Sequence, residues 1–477
     1  MATVGYGVAL ADVKDTTVRL SEVVAALSYA LDITEGQPEG HAARSCLIGM
    51  RLADELKLPT ADRSALFYAL LLKDLGCSSN AAKMCYLFGA DDRVVKRGVK
   101  TIDWPRMSQS VRFMLRNVGP DRSPLERLLK TAALAVQGPK GAKKLVETRC
   151  MRGADIARRL GFPPATPQAI LDLDEHWNGK GQPQGLRGEG ISLLGRIAGL
   201  AQTVEVFYTQ RGAAAAWDMA RARRGKWFDP QLVDVLLAVR TDEDFWQRLR
   251  TSNLEQEVAG CEPADQVLIA TPELLEQLAE AFAQVVDAKS PWTFRHSSGV
   301  AEIAEGIAAA LGYDAASLDR VRQMGLLHDI GKLGVSNIIL DKPGRLDEDE
   351  LIVLRRHPDH THRILSRVGG FRDFSALAAA HHERIDGRGY HLGLTAAELP
   401  LPARILTVAD IFEALSAARP YRPAVPQEQV LEIMRRDAGV AICPMAFSAL
   451  RTWLERKDYS GRVEAQLAEV ERLLAEF

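Results

Sequence analysis

Residues 296–331, HSSGVAEIAEGIAAALGYDAASLDRVRQMGLLHDIG, repeat apolar residues every three or four positions and end in a His-Asp pair. Apolar residues at this spacing lie on one face of an α-helix. The same periodicity recurs in SEVVAALSYALDI (21–33), ELLEQLAEAFAQVV (273–286) and ARILTVADIFEAL (403–415), whereas the alternating runs typical of β-strands are scarce. The sequence therefore predicts an all-α protein.

An internal repeat indicates how the chain is divided. Residues 41–76 match residues 296–331 in spacing and apolar pattern at an offset of 255, and residues 178–202 match 386–410 at an offset of 208. The difference between the offsets means that the first copy contains about 47 extra residues between Asp74 and Arg149. We predict two tandem helical-bundle domains of one type, 1–245 and 271–477, joined by a polar linker at 246–270.

Charge and cysteine content exclude several classes of protein. The 60 basic and 62 acidic residues give a net charge of −2, so no overall field favours nucleic acid or an anionic membrane. The six cysteines contain no CxxC pair, which suits a reducing compartment. No signal peptide is recognisable, and the longest apolar run is too short to cross a bilayer. We expect a cytoplasmic protein that binds neither nucleic acid nor membrane.

Histidines are concentrated in the second copy, where eight of the ten lie within residues 296–391. In GLLHDIGK, His328 and Asp329 directly follow an apolar run, and Lys332 lies one helical turn beyond His328. Buried carboxylates and ammonium groups need charged partners, and imidazole with carboxylate can hold manganese, iron or zinc. A single His-Asp dipeptide is more often a core histidine beside a capping aspartate, but here a helical bundle could gather further histidines around it.

Five sequence motifs carry a family resemblance. HDIGK (328–332), RRHP (355–358), HHERIDGRGY (381–390), LTVAD (406–410) and RPYR (419–422) closely resemble, in order and spacing, the motifs of the HD-GYP family. This family is a branch of the HD-domain metal-dependent phosphohydrolases. Its members are all-α, carry two or three metal ions, commonly iron or manganese, and hydrolyse cyclic dinucleotides, chiefly cyclic di-GMP.

The resemblance implies roles for individual residues. It places the metal ligands at His296, His328, Asp329, His357, His381, His382 and Asp410. Asp329 would bridge the ions, and Lys332 falls on the position of the catalytic lysine. Arg419 and Arg422 fall on positions that hold substrate phosphate, and the Tyr390 ring could either stack on a base or simply pack.

Two departures from the family pattern affect these expectations. The family's GYP triplet reads GYH, and the replacement of proline by His391 removes a fixed φ and is expected to loosen the loop. Members with three metals have a glutamate four residues before the first histidine, where this chain has Trp292. We therefore expect two divalent ions, iron or manganese first, with zinc, magnesium or nickel as alternatives.

The first copy lacks most of the ligand set. His41 and Asp74 retain the residue types of His296 and Asp329. The other five ligand positions and the lysine position change, to Lys73, Arg149, Leu173, Asp174, Gln202 and Cys77. Two ligands cannot hold a dinuclear centre, and Lys73 would put positive charge where a metal would lie. We predict that this copy is catalytically inactive and has a regulatory, dimerising or partner-binding role.

Together these observations predict a metal-dependent phosphodiesterase for a cyclic dinucleotide, with cyclic di-GMP ahead of the hybrid cyclic GMP-AMP. The product would be pGpG, GMP or both. Two alternatives stay open: an HD phosphohydrolase acting on a mononucleotide or phosphomonoester, and a non-catalytic signalling scaffold. A protein partner or a second copy of the chain could bind through the first copy.

Overall fold

The computed structural model describes residues 18–102, 107–120, 122–251, 253–293, 295–417 and 424–456. Within these ranges the chain is helical, and β-structure is confined to isolated bridges such as Asn178–Arg187 and Asp386–Thr395. The prediction of an all-α fold is confirmed. Among the described residues, no helix combines the length and the apolar character that a membrane span requires.

The described chain forms two compact units, which we call the first unit (Val18–Ala270) and the second unit (from Thr271 onward). Helices of the first unit are α1 (Leu20–Thr34), α2 (His41–Glu55), α3 (Thr60–Leu72), α4 (Ala81–Phe88), α5 (Asp92–Val99), α6 (Met107–Asn117), α7 (Pro124–Arg159), α8 (Ala165–Asp172), α9 (Leu193–Arg211), α10 (Ala213–Arg223), α11 (Pro230–Ala238), α12 (Glu243–Arg248) and α13 (Leu254–Cys261). Helices of the second unit are α14 (Pro272–Asp287), α15 (His296–Ala310), α16 (Ala315–Leu327), α17 (Asn337–Leu340), α18 (Glu348–Leu354), α19 (His357–Leu365), α20 (Ser375–Ala379), α21 (Leu401–Ser416), α22 (Gln427–Asp437) and α23 (Pro444–Leu454).

The stretch that the sequence suggested as a linker, 246–270, lies within the first unit. It contains α13, and the buried carboxylate of Glu262 accepts hydrogen bonds from Ser21 at 2.7 Å and Tyr68 at 2.9 Å. A carboxylate that is removed from water in this way must be hydrogen-bonded to be tolerated. The polar composition of 246–270 thus reflects buried polar contacts as well as solvent exposure.

The extra residues of the first copy build a small core of their own. Helices α4 to α6 and the adjoining part of α7 surround buried Phe88, Val95, Phe113 and Val118. Helix α7 begins with a capping box, in which Ser123 and Glu126 satisfy each other's backbone N–H groups. The extra residues therefore contain a sequence signal for the start of α7 and an apolar cluster against which their helices pack.

Helix packing in the second unit brings distant motifs together. Helix α15 packs against α16 and α21, and the 3₁₀ turn Ile330–Gly334 packs against α19. Gly331 is required at this turn, because a Cβ atom there would lie 1.9 Å from the carbonyl oxygen of His357. The glycine of HDIG thus allows α19 to approach the His-Asp pair.

Several local contacts occur in both units at the offsets found in the sequence. Gly76 approaches the carbonyl of Arg149 as Gly331 approaches that of His357. Glu175 and Glu383 each accept backbone N–H bonds from the glycine-containing loop that follows them. The two units therefore share internal hydrogen bonding as well as sequence spacing.

Candidate metal centre

The structure brings all seven predicted ligands together in the second unit. They come from five places: the first residue of α15, the two residues that follow α16, the first residue of α19, the segment after α20, and the middle of α21. All of them are buried except His382, whose side chain is 26% exposed. Side chains separated by up to about 115 residues in sequence thus converge on one small volume.

The carboxylate of Asp329 lies between two pairs of histidines. Its Oδ2 atom is 3.3 Å from Nε2 of His296 and 3.3 Å from Nε2 of His328. Its Oδ1 atom is 3.4 Å from Nε2 of His357 and 3.5 Å from Nε2 of His381. Each carboxylate oxygen therefore faces a different pair of imidazole nitrogens.

Asp410 and His382 complete the two groups of donor atoms. Asp410 Oδ1 lies 3.4 Å from His296 Nε2, and Oδ2 lies 3.9 Å from His382 Nδ1. One group consists of His296, His328 and Asp410, and the second consists of His357, His381 and His382. Within each group the donor atoms all lie within 4.8 Å of one another. Both groups consist of the nitrogen and oxygen donors that suit first-row divalent ions.

Backbone carbonyls orient three of the imidazole rings. Nδ1 of His328, His357 and His381 each lies 2.7 Å from a carbonyl oxygen three residues earlier in the chain. A neutral ring that donates from Nδ1 presents a lone pair at Nε2. Nε2 of His357 and His381 are 3.2 Å apart, and two such lone pairs cannot hydrogen-bond to each other.

The centre also contains unsatisfied polar atoms of the kind that a cation would satisfy. Nε2 of His328 and Oδ1 of Asp329 are buried and have no hydrogen-bond partner among the residues that the structure describes. Burial lowers the pKa of His357 to about 3, and the nearby Lys332 and His381 act in the same direction against the attraction of Asp329. An uncharged imidazole is the form that binds a metal, so these residues fit a divalent cation.

Lys332 contacts the same carboxylate. Its Nζ lies 2.5 Å from Asp329 Oδ2, and its side chain is 19% exposed. Burial alone would raise the pKa of Asp329, but the ammonium charge of Lys332 holds that pKa well below its usual range. Asp329 is therefore an anion throughout the neutral pH range.

Comparison with known proteins agrees with this geometry. A model of the HD-domain family matches residues 140–232 and 280–443. This chain is 44% identical over 439 residues to the 3'3'-cGAMP-specific phosphodiesterase 3 of Vibrio cholerae, an alignment that covers 92% of this chain and 95% of that protein. The chain belongs to the HD-domain family, in its HD-GYP branch.

Two further comparisons, one with a solved structure and one with a sequence, show how much of the chain is shared with known proteins. The crystal structure of a cyclic GMP-AMP-specific phosphodiesterase from V. cholerae superimposes with a TM-score of 0.65 at 41% identity, covering 93% of this chain and 99% of that one. A cyclic di-GMP phosphodiesterase response regulator of Xanthomonas campestris is 36% identical over 180 residues, which is 37% of this chain and 47% of that protein.

Glu413, which the sequence motifs did not reveal, holds the first histidine of this HD-GYP protein in place. Buried Glu413 accepts a short hydrogen bond from Nδ1 of His296. Glu413 lies three residues after Asp410, and positions three apart on a helix face the same side. A carboxylate behind a ligating histidine fixes the orientation of the ring, and the helical spacing within ADIFEAL was the available signal.

Glu383, the third residue of HHE, organises the HD-GYP loop. Its carboxylate accepts N–H bonds from Leu392, Gly393 and Leu394 at 2.6, 3.1 and 3.0 Å. It also accepts one from the backbone of His391 at 3.2 Å, which proline could not donate. The loop thus gains a hydrogen bond where it loses a fixed φ, a compensation that the sequence did not suggest.

The predicted substrate contacts are only partly described. Tyr390 packs on the imidazole of His382, with ring centroids 4.7 Å apart at 30°. The guanidinium of Arg355, to which the sequence analysis gave no role, lies 5.2 Å from the Tyr390 ring centre. Arg419 and Arg422 lie outside the described residues.

In the first unit, cationic side chains lie at the place that corresponds to the centre. Lys73 forms a short ion pair with Asp74, and Lys100 lies 2.9 Å from Glu35 and 3.4 Å from Asp74. Glu35, Asp74 and Cys77 could form a metal-binding group by distance alone. Because both carboxylates are already paired with ammonium groups, this cluster is balanced without a metal.

Proposed function

We propose that this HD-GYP protein is a metal-dependent phosphodiesterase that hydrolyses a cyclic dinucleotide. The supporting observation is the position of Asp329, whose two carboxylate oxygens face separate groups of buried donors. One iron or manganese ion would be held by His296, His328 and Asp410, and the other by His357, His381 and His382, with Asp329 shared. A bound pair of such ions supplies hydroxide near neutral pH and takes up negative charge on the phosphoryl oxygens.

The chain's own residues have separate tasks in this proposal. Lys332, at the partly exposed edge of the centre, stabilises the charge that develops on the leaving ribose oxygen. Arg419 and Arg422 of RPYR hold the second phosphate, because an arginine fork matches two phosphate oxygens. Tyr390, fixed on His382 and flanked by Arg355, forms a wall of the substrate site.

For the substrate we place the hybrid cyclic GMP-AMP ahead of cyclic di-GMP, which the motifs alone favoured. The relative that matches almost the whole chain is named for the hybrid, whereas the cyclic di-GMP relative from X. campestris matches 37% of this chain. The first product is the linear dinucleotide, because one phosphodiester is cut at each visit to a single centre.

We further propose that the first unit has no hydrolytic activity and serves as a regulatory or interaction domain. The pairing of Lys73 and Lys100 with Asp74 supports this role, because ammonium charge lies where metal charge would be needed. Residues 271–477 would then contain the whole catalytic apparatus.

The function is tested with anaerobically purified wild type, Asp329→Ala and a matched control, Asp319→Ala, whose exposed carboxylate lies on α16. Wild type and control should contain about two ions per chain and cleave the hybrid dinucleotide, and Asp329→Ala should lose at least about a thousandfold in turnover. Equal turnover in Asp329→Ala, or preferential cleavage of a nucleoside monophosphate, would contradict the proposal. Wild type with less than one ion per chain and no cleavage would support a scaffold.

A further inference from the structure

Positive charge is concentrated in the part of the first copy that contains its extra residues. Residues 75–148 include 14 Lys and Arg but only 6 Asp and Glu, a net charge of +8. Because the whole chain carries −2, the rest of the chain carries −10. The balanced total therefore conceals a strongly basic segment, and charge asymmetry of this kind is typical of chains that bind nucleic acid or membranes.

The first two turns of α7 expose three leucines. The side chains of Leu125, Leu128 and Leu129, which we call the leucine stripe, are 66%, 59% and 62% exposed. Residues three and four positions apart share one face of a helix. The opposite face carries buried Thr131 and partly buried Leu134, which packs against the small core of this region. The leucine stripe thus points away from its own core, and a helix that is apolar on both sides needs a second apolar environment.

Further exposed apolar side chains lie at the same end of α7. The guanidinium of Arg127 donates to the carbonyl of Leu115 at 2.5 Å, and Nζ of Lys130 donates to the carbonyl of Tyr86 at 3.0 Å. The side chains of Leu115 and Tyr86 are both exposed. Exposed apolar residues that are scattered singly are ordinary, but several gathered at one helix end indicate an interaction surface.

Basic side chains lie on both sides of the leucine stripe along the chain. Arg112 and Arg116 are exposed on α6, and Lys143 is exposed further along α7. Lys143 follows Leu125 by 18 residues, which is five helical turns, so the two point to the same side of α7. Within the described ranges none of the three basic side chains forms an ion pair. Leucines on one helix face with Lys and Arg around them are typical of helices that lie in the interface of an anionic membrane.

The geometry of this surface favours a lipid bilayer over nucleic acid or a partner helix. Nucleic acid is bound by basic groups together with aromatic stacking, to which leucines contribute nothing. An amphipathic partner helix is received in an apolar groove, whereas the leucine stripe projects from the side of α7 opposite its core. A bilayer interface takes up projecting leucines and attracts Lys and Arg to anionic headgroups at the same time.

We propose that helices α6 and α7 dock on an anionic lipid surface, with the leucine stripe at the boundary between headgroups and acyl chains. Arg112, Arg116 and Lys143 face the headgroups. The contact is reversible, because only two helical turns enter the lipid. This proposal replaces, for this surface, the expectation of no membrane binding that we drew from the net charge of the whole chain.

The test is sedimentation of the full chain with vesicles of phosphatidylcholine alone and of phosphatidylcholine mixed with phosphatidylglycerol. We expect binding to the mixed vesicles at low salt, and binding to phosphatidylcholine alone that is weaker by about tenfold or more. Leu128→Ser/Leu129→Ser should weaken binding to the mixed vesicles by about tenfold or more. The matched control, Val440→Ser/Met445→Ser, removes two exposed apolar side chains of the second unit and should bind like the wild type.

The contribution of charge is tested separately. Arg112→Gln/Arg116→Gln should weaken binding to the mixed vesicles and reduce its dependence on salt, because fewer exposed charges remain to be screened. Arg435→Gln/Arg436→Gln changes an exposed basic pair on α22 of the second unit and should leave both unchanged.

A second measurement does not depend on a loss of binding. The indole added by Leu129→Trp should be quenched by mixed vesicles with brominated acyl chains, whereas the indole added by Met445→Trp should not. Thermal melting identifies any variant that misfolds. Hydrolysis is assayed without vesicles, so failure of this proposal and failure of the proposed function are distinguishable.

The proposal is overturned if the wild type does not bind the mixed vesicles, if it binds phosphatidylcholine alone equally well, or if Leu128→Ser/Leu129→Ser binds as the control does. It is also overturned if light scattering shows a wild-type dimer that Leu128→Ser/Leu129→Ser converts to a monomer, since a second copy of the chain would then cover the leucine stripe.

Discussion

Glu413 accepts a hydrogen bond from Nδ1 of His296, although 117 residues separate the two. The first unit has the same arrangement, in which Glu205 accepts from Nδ1 of His41. In the first unit Glu205 also accepts a hydrogen bond from Arg44 at 2.6 Å. In the second unit the other ring nitrogen of the histidine, Nε2 of His296, faces the carboxylates of Asp329 and Asp410. The pairing therefore belongs to the shared architecture of the units, and in the second unit it orients a predicted ligand.

Glu413→Gln should weaken metal binding while leaving the fold intact. The amide keeps the shape of the side chain but removes the charge that makes His296 a better ligand, and loss of such a partner typically costs about 10- to 100-fold in metal affinity. The measurement is competition with a metal chelator, followed by turnover at rising metal concentration. Glu428→Gln, at an exposed position of α22, is the control. Unchanged metal affinity in Glu413→Gln would contradict this role.

His391→Pro, which restores the family triplet, should destabilise the loop. Proline cannot supply the N–H that Glu383 accepts from residue 391, and loss of one hydrogen bond to a charged group costs about 1–3 kcal/mol. His391→Ala keeps the N–H and is the matched control. Urea unfolding and hydrogen exchange at residues 391–394 measure the difference, and equal stability of the two variants would show that this bond is unimportant.

Lys100→Met should destabilise the first unit. It removes an ammonium that lies between Glu35 and Asp74 and leaves these buried carboxylates with less positive charge; breaking such a pair costs about 3–5 kcal/mol. Lys143→Met, at an exposed position of α7, should be nearly neutral. Denaturant unfolding with a probe in the first unit reports the effect. If metal chelation rather than Lys100→Met unfolds this unit, the ammonium groups do not replace a metal.

The stability of the first unit should fall as the pH drops below the ordinary pKa of histidine. Burial, aided by the charge of Arg223, lowers the pKa of His176 from 6.5 to about 4 in the folded chain. Between these values the unfolded chain binds the extra proton, so stability is complete above about pH 6.5 and decreases toward pH 4. Between pH 7.5 and 4.5 the loss from this group is about 2 kcal/mol. His176→Phe should remove this part of the pH dependence, and an unchanged profile would contradict it.

The helical class and the members of the centre could be predicted from the sequence, for two different reasons. Apolar spacing is a local property of each segment, so it predicts helices without knowledge of the fold. The family motifs identify residues such as His357 and Asp410 by their place in the sequence, without knowledge of which atoms these side chains contact. What each side chain contacts depends on packing between distant segments. The partnership of Glu413 with His296, and the burial of Glu262 by Ser21 and Tyr68, arise only when the helices are assembled.

Anomalous diffraction at the manganese edge would show whether Asp329 joins two cations. Crystals of the manganese-loaded chain should show two anomalous peaks per second unit. One should lie beside His296, His328 and Asp410, and the other beside His357, His381 and His382, with one oxygen of Asp329 directed at each. A single peak, or two peaks that do not share Asp329, would rule out a pair of ions bridged by this carboxylate.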